Sequence, residues 1–240
     1  MLRQLFGETR RQDVGLMHDA NHAIESYLAR LGKQPKNRKT VDKERRLELW
    51  SRGFIRALDE LEQSVYCARR CGANVNKQYV EDMSEEEQDD YHRHIYFYKN
   101  AFIRLFSILD KIGYFMNEAF DLKTEQVKLR FSYFTVLRTM HQRGIETELE
   151  QCLYDMKVKY KPELERLRNQ RNMEIHMLNA DLLDDLLNAK EMLAPREEKT
   201  HVENISGNMD DLTISFEMTC RALICLYDHM LKRSGGRKRT

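Results

Sequence analysis

Ile95, Phe102, Leu109 and Met116 recur every seven residues, and Tyr98, Leu105 and Ile112 recur three residues later. That is an a/d seam. Side chains on a strand alternate with period two, so a seam of this spacing can only line one face of a helix. The helix should be long and packed in the middle of a bundle. Its start is also written in the chain: Ser84 and Glu87 fit a capping box, and the acids before Tyr91 suit the positive end of a helix dipole. The rest of the chain offers little competition to helix. Only 3 Pro and 10 Gly occur in 240 residues, too few breakers for the turns of an all-β protein. The predicted fold class is therefore all-α, a multi-helix bundle.

Further elements follow from period and breakers. A first helix runs from about Asp13 to Leu31 and stops at Gly32. A second runs from Val41 to Cys71 with one apolar stripe, Leu47, Trp50, Phe54, Leu58, Leu61 and Val65, interrupted only by Gly53. Between them lies a basic loop, Lys33 to Thr40, with four positive charges, no negative ones and Pro35. After the long helix, helical pieces are expected over Thr124–Gln142, Glu146–Val158, Pro162–Met177 and Asp181–Leu193. Ala194–Gly207 reads as a loop, and the last helix spans about Met209 to Arg233, burying Leu212, Phe216, Cys220, Leu223, Tyr227 and Met230. The organisation expected is an N-terminal helical elaboration over residues 1–80, a helical bundle over 81–233 and a flexible basic tail over 234–240.

Charge excludes some functions. Lys and Arg total 40 against 39 Asp and Glu, so the chain is no globally basic nucleic-acid coat, and any nucleic-acid contact must come from local patches such as the loop at Lys33–Lys39 or the tail at Arg237–Arg239. No stretch approaches the ~20 apolar residues of a membrane span, and the N-terminus lacks the apolar core of a signal peptide. The expected location is the cytoplasm. The five cysteines, Cys67, Cys71, Cys152, Cys220 and Cys225, then read as reduced thiols that pack as small apolar groups. A glycine-rich phosphate loop and a nucleophile elbow are both missing from the sequence. His18 and His22 stand four apart, but no third ligand accompanies them, so no metal and no other cofactor is expected.

The segment Arg168-Asn169-Gln170-Arg171-Asn172-Met173-Glu174-Ile175-His176 carries the most chemistry. Arg171 supplies a fixed cation and His176 a base that titrates near neutrality. That pair suits phosphodiester cleavage by ribose attack: the base takes the 2′-hydroxyl proton, and the guanidinium offsets the charge of the phosphorane-like transition state. Five positions apart on an ideal helix, the two point about 140° from each other. Arg168, Asn172 and His176 share one face better. Arg171 must therefore bend round, the helix must end near the motif, or a second subunit must complete the site. Arg11–His18 and Arg196–His201 have comparable spacing, but only Arg171 is followed directly by Asn.

Arg171-Asn172-Met173-Glu174-Ile175-His176 resembles the catalytic motif of the HEPN superfamily, in which an Arg, followed by a polar residue that is often Asn, precedes a His with four to six residues between them. The seam helix, with Asn100, Arg104, Ser107, Asp110 and Lys111 on its polar side, is similar to the long helix beside that motif. The resemblance covers roughly Ser84 to Arg233. It implies a bundle of four or five helices, frequent homodimers that bring two motifs to one cleft, and metal-independent endoribonuclease activity, often in toxin–antitoxin or antiviral defence systems. Carried over, Arg171 and His176 are the catalytic pair and Asn172 the supporting polar residue. Asp110, Lys111, Ser107, Arg104 and Arg168 are supporting candidates; a solvated stripe is the competing reading of those on the long helix. Leu178 stands where toxins paired with nucleotidyltransferases carry Tyr, which argues against that pairing. RNA, a second copy of the chain and an antitoxin or defence partner are the expected partners. The alternative is a non-catalytic helical module that binds a nucleotide or a partner.

Overall fold

The computed structural model describes residues 2–12, 14–32, 41–176 and 199–236, with the backbone alone at 176 and 234–236. The chain is all-α. Seven helices are described: α1 (Gly15–Leu31), α2 (Val41–Gly72), α3 (Glu85–Ala119), α4 (Tyr133–Arg143), α5 (Thr147–Lys159), α6 (Lys161–His176) and α7 (Ile205–Gly236). Short 3-10 turns occupy Leu2–Phe6, Val80–Asp82 and Thr124–Gln126. Among the described residues there is no strand, only an isolated antiparallel bridge between Tyr79 and His201. The helix expected over Asp181–Leu193, the basic loop at Lys33–Lys39 and the tail at Arg237–Arg239 lie outside the described residues.

The seam is the core side of α3: Tyr98, Phe102, Leu105, Leu109, Ile112 and Met116 are buried, and only Ile95 is half-exposed. On α2 the stripe from Leu47 to Val65 is buried except for Trp50, which is half-buried and meets the Tyr114 ring edge-on. Phe216, expected in the core of α7, is half-buried.

Two boundaries differ from the periodicity. The segment expected as one helix from Thr124 is a single 3-10 turn, and α4 begins only at Tyr133. Ser132 and Thr135 form a capping box there, and the Tyr133 N–H donates to Asp110 Oδ1 at 3.3 Å. Side-chain partners for the first amides of α4 outcompete extension of the helix backwards. The last helix begins at Ile205 rather than Met209, because Asn204 Oδ1 accepts the Gly207 N–H at 3.0 Å and caps it earlier.

The chain divides into two compact units. The first comprises Met1–Thr9, Leu61–Ile103 and Pro162–Ile214. In it, α2 and α3 approach closely at Gly72, where a Cβ would sit 2.7 Å from His94 Nδ1. That gap lets the buried His94 donate from Nδ1 to the Ala68 carbonyl at 2.8 Å. Burial holds the imidazole below its usual pKa, against the opposing pull of that hydrogen bond.

The second unit comprises Arg10–Glu60, Arg104–Lys161 and Ser215–Thr240. Its core is an aromatic cluster of Tyr27, Phe54, Phe115 and Tyr227, with centroids 5.4 Å apart for Tyr27–Tyr227 and 6.0 Å for Phe54–Phe115. The Tyr227 hydroxyl is satisfied at 2.8 Å by Ser51 Oγ. In this unit Cys152 of α5 and Cys225 of α7 form a disulfide, with Cα atoms 7.0 Å apart. The expectation of five reduced thiols is corrected at these two positions: residues 73 apart in sequence meet only because α5 packs on α7. Cys67, Cys71 and Cys220 are free and buried. Burial pushes their thiols up, Cys67 to about 11 and Cys220 to about 12.

Candidate active site

The motif lies at the end of α6. Pro162 occupies its first turn, where a missing amide costs nothing. Leu164 and Leu167 are the residues through which α6 enters the core, at 4% and 0% exposure. Arg171 continues that line four residues on, so it lies on the inward side of the helix and is half-buried, with its Nε shielded from solvent. Asn172 is half-buried, and Arg168 lies over Glu165 at 3.9 Å. Met173 and Ile175, by contrast, are about half-exposed, at 48% and 50%. His176 is the last residue of α6, and its side chain lies outside the described residues.

Residues just before and within the motif hold the helix in place. Tyr98 of α3 donates from its hydroxyl to Gln170 Oε1 at 2.5 Å. Gln170 Nε2 donates to Asn208 Oδ1 of α7 at 3.1 Å, and Asn208 Nδ2 donates to Glu203 Oε2 at 3.1 Å. This relay ties α6 to α3 and to the start of α7. One turn on, Glu174 pairs with Lys99 of α3 at 3.2 Å, each side chain only 17% exposed. One turn back, Arg166 makes a two-pronged ion pair with Asp211 at 2.6 and 2.7 Å. Burial, with the nearby Glu203 and Asp211 carboxylates adding to it, pushes the Tyr98 hydroxyl far above its usual pKa, so it serves as a permanent donor. Arg171 and Asn172 are thus presented on a helix clamped just before them, at Gln170, and just after them, at Glu174.

The sequence alone marks none of these clamping residues: Tyr98 is a seam position there, and Gln170 and Glu174 stand in the motif segment without a role. A polar tip on a seam residue was the signal available: a buried Tyr needs a partner for its hydroxyl.

Arg104, Ser107, Asp110 and Lys111 belong to the second unit, whereas Arg168, Arg171 and Asn172 belong to the first. Within the second unit, Arg104 forms an ion pair with Glu60 and Asp110 receives the first amide of α4. Ser107 is half-buried and Lys111 exposed. His18 and His22 stack at 6.3 Å on α1, and His18 Nδ1 lies 3.3 Å from Asp19. Among the described residues no group of three or more His, Cys, Asp or Glu side chains is placed to hold a metal ion. No helix among them is long and apolar enough to cross a membrane.

Comparison with known proteins adds one finding. The family model described as Cthe2314-like HEPN matches residues 50–231, well over half of the chain, beginning in α2 and ending in α7. No curated protein and no solved structure matches the chain. The match takes in α3, α6 and the Arg171-Asn172 segment together, and with the all-α architecture it means that this chain belongs to the Cthe2314-like HEPN family.

Proposed function

We propose that the protein is a metal-independent endoribonuclease of HEPN type, working as a homodimer in the cytoplasm within a toxin or antiviral defence system. The observation that supports this most is the clamped end of α6. Gln170 and Glu174 fix the helix against α3, and Arg171 is held half-buried, where its charge is less screened than on an open surface. In the reaction, His176 takes the 2′-hydroxyl proton of the ribose. The 2′-oxygen attacks the phosphorus, the 5′-oxygen leaves and is protonated, and a 2′,3′-cyclic phosphate remains. Arg171 offsets the added negative charge, and Asn172 orients the phosphate or the imidazole.

Loss of the imidazole or of the guanidinium should each lower cleavage by roughly 10²-fold or more. The test is incubation of single-stranded RNA in EDTA with wild type, His176→Ala and Arg171→Ala. Equal cleavage by all three, or a wild type active only without chelator, rejects the mechanism. Growth on induction separates the alternative, a non-catalytic partner- or nucleotide-binding module. A ribonuclease toxin arrests cells and His176→Ala relieves the arrest; a binding module gives the same growth with both.

A further inference from the structure

Beside the motif, between α3, α6 and Glu203, lies a cavity of about 80 Å³ within the first unit. Its walls are apolar and partly aromatic: Ile95, Tyr98 and Phe102 from α3, and Met173 from α6. Beside the Gln170 amide, engaged by Tyr98 and Asn208, its charged groups are of two kinds. Lys99 offers only donors, and Glu174 and Glu203 offer only acceptors. Lys99 and Glu174 are already 3.2 Å apart and largely withdrawn from water, so a donor and an acceptor are fixed side by side at the wall of the cavity. The Tyr98–Gln170–Asn208–Glu203 relay fixes the second carboxylate. Met173, 48% exposed, lines this cavity and directly follows Arg171 and Asn172.

We propose that this cavity takes the edge of a guanine base. The inference rests on the endoribonuclease reading for its purpose: the base would belong to the nucleotide next to the bond that is cut. A partly aromatic cavity with polar groups at its wall is what an unstacked base of single-stranded RNA needs, because such bases are read on their Watson–Crick edges once they leave the stack. The wall presents one cation and two carboxylates. Guanine is the RNA base whose Watson–Crick edge runs carbonyl acceptor, N–H donor, N–H donor. Its O6 meets the Lys99 ammonium, and its N1–H and N2–H meet Glu174 and Glu203. Uracil would turn a carbonyl against a carboxylate. Cytosine would turn at least one acceptor against them, and adenine would set its amino group against the ammonium or leave one carboxylate without a donor. A mismatch at Lys99 or Glu174, each 17% exposed, strands a largely desolvated charge, and one good polar pair of this kind discriminates by roughly tenfold or more.

The experiment uses the full chain carrying His176→Ala, so that no turnover interferes, titrated calorimetrically with the 3′-monophosphates of guanosine, adenosine, cytidine and uridine. The guanosine nucleotide should bind at least tenfold more tightly than the other three, and Glu174→Gln should abolish that preference. Equal affinities, no binding at millimolar concentration, or a preference untouched by Glu174→Gln in a folded variant overturns the proposal. The comparison among the four nucleotides needs no substitution in the cavity, so it stands even if Glu174→Gln fails to fold. The two readings also fail separately. Cleavage that depends on His176 but shows no guanosine preference leaves the nuclease standing and removes the guanine site. Selective guanosine binding by a chain that cuts no RNA keeps the site and removes the nuclease.

Discussion

Two glycines in comparable helical settings should respond oppositely to alanine. At Gly113, in α3, a Cβ would lie 2.9 Å from Tyr133 Cα, 3.0 Å from Tyr133 N and 3.4 Å from Ser132 C. All three neighbours are backbone, so no side chain can rotate away, and the start of α4 must move. Moving it stretches the Tyr133 N–H to Asp110 bond, already 3.3 Å, and disturbs the Ser132–Thr135 capping box. Overpacking of this kind costs about 1–3 kcal/mol, and a weakened hydrogen bond and cap cost about 1 kcal/mol more. Against this stands a gain of about 0.5–1 kcal/mol from replacing Gly by Ala inside a helix. The net expectation for Gly113→Ala is a loss of about 1–3 kcal/mol. At Gly53, in α2, a Cβ meets nothing within 4 Å, so only the gain remains. Urea and thermal unfolding followed by circular dichroism should show Gly113→Ala melting roughly 2–12 °C below wild type and Gly53→Ala about 1–4 °C above it. A Gly113→Ala protein at least as stable as wild type would refute the packing of α3 against the start of α4. A destabilised Gly53→Ala would refute the open face of α2.

The buried His94 makes stability depend on pH with a definite sign. Its folded pKa lies below the ordinary value near 6.5, so in acid the unfolded chain takes up the proton first. Its contribution is complete above about pH 6.5 and declines as pH falls from there towards the lower folded value, by up to about 1.4 kcal/mol per pH unit. Urea midpoints between pH 7.5 and 5.5 should fall for wild type and flatten for His94→Gln; identical slopes would contradict the assignment. The Cys152–Cys225 bond predicts three reactive thiols in the denatured, unreduced chain and five after reduction. By the loop-entropy relation for a separation of 73 residues, reduction should cost up to about 4 kcal/mol. Five thiols before reduction would rule the bond out.

Periodicity carried the helices, because burial of one face imposes a 3.6-residue rhythm that a single chain displays without any neighbour in view. The seam on α3 and the stripe on α2 were legible for that reason. Boundaries were less so. The helix expected over Thr124–Gln142 runs past the start of α4 at Tyr133, whose N–H is held by Asp110, a residue 23 positions away. The motif was legible as residue types at a spacing. Its surroundings were not, since Tyr98 and Gln170 lie 72 positions apart and nothing local marks them as partners.

By itself, then, the sequence determined that the chain is helical, where its long helices run, which face of each seeks the core, and that Arg171-Asn172 sits at the end of a helix beginning near Pro162. Those properties depend on interactions within a few turns of one helix. Only the tertiary structure decided that Glu174 meets Lys99, that Tyr98 holds Gln170 while Gln170 reaches Asn208, that His94 needs Gly72, and that Cys152 faces Cys225. Each of these joins residues on different elements, and such pairs are chosen by how close-packed helices cross, which the spacing along one chain does not encode.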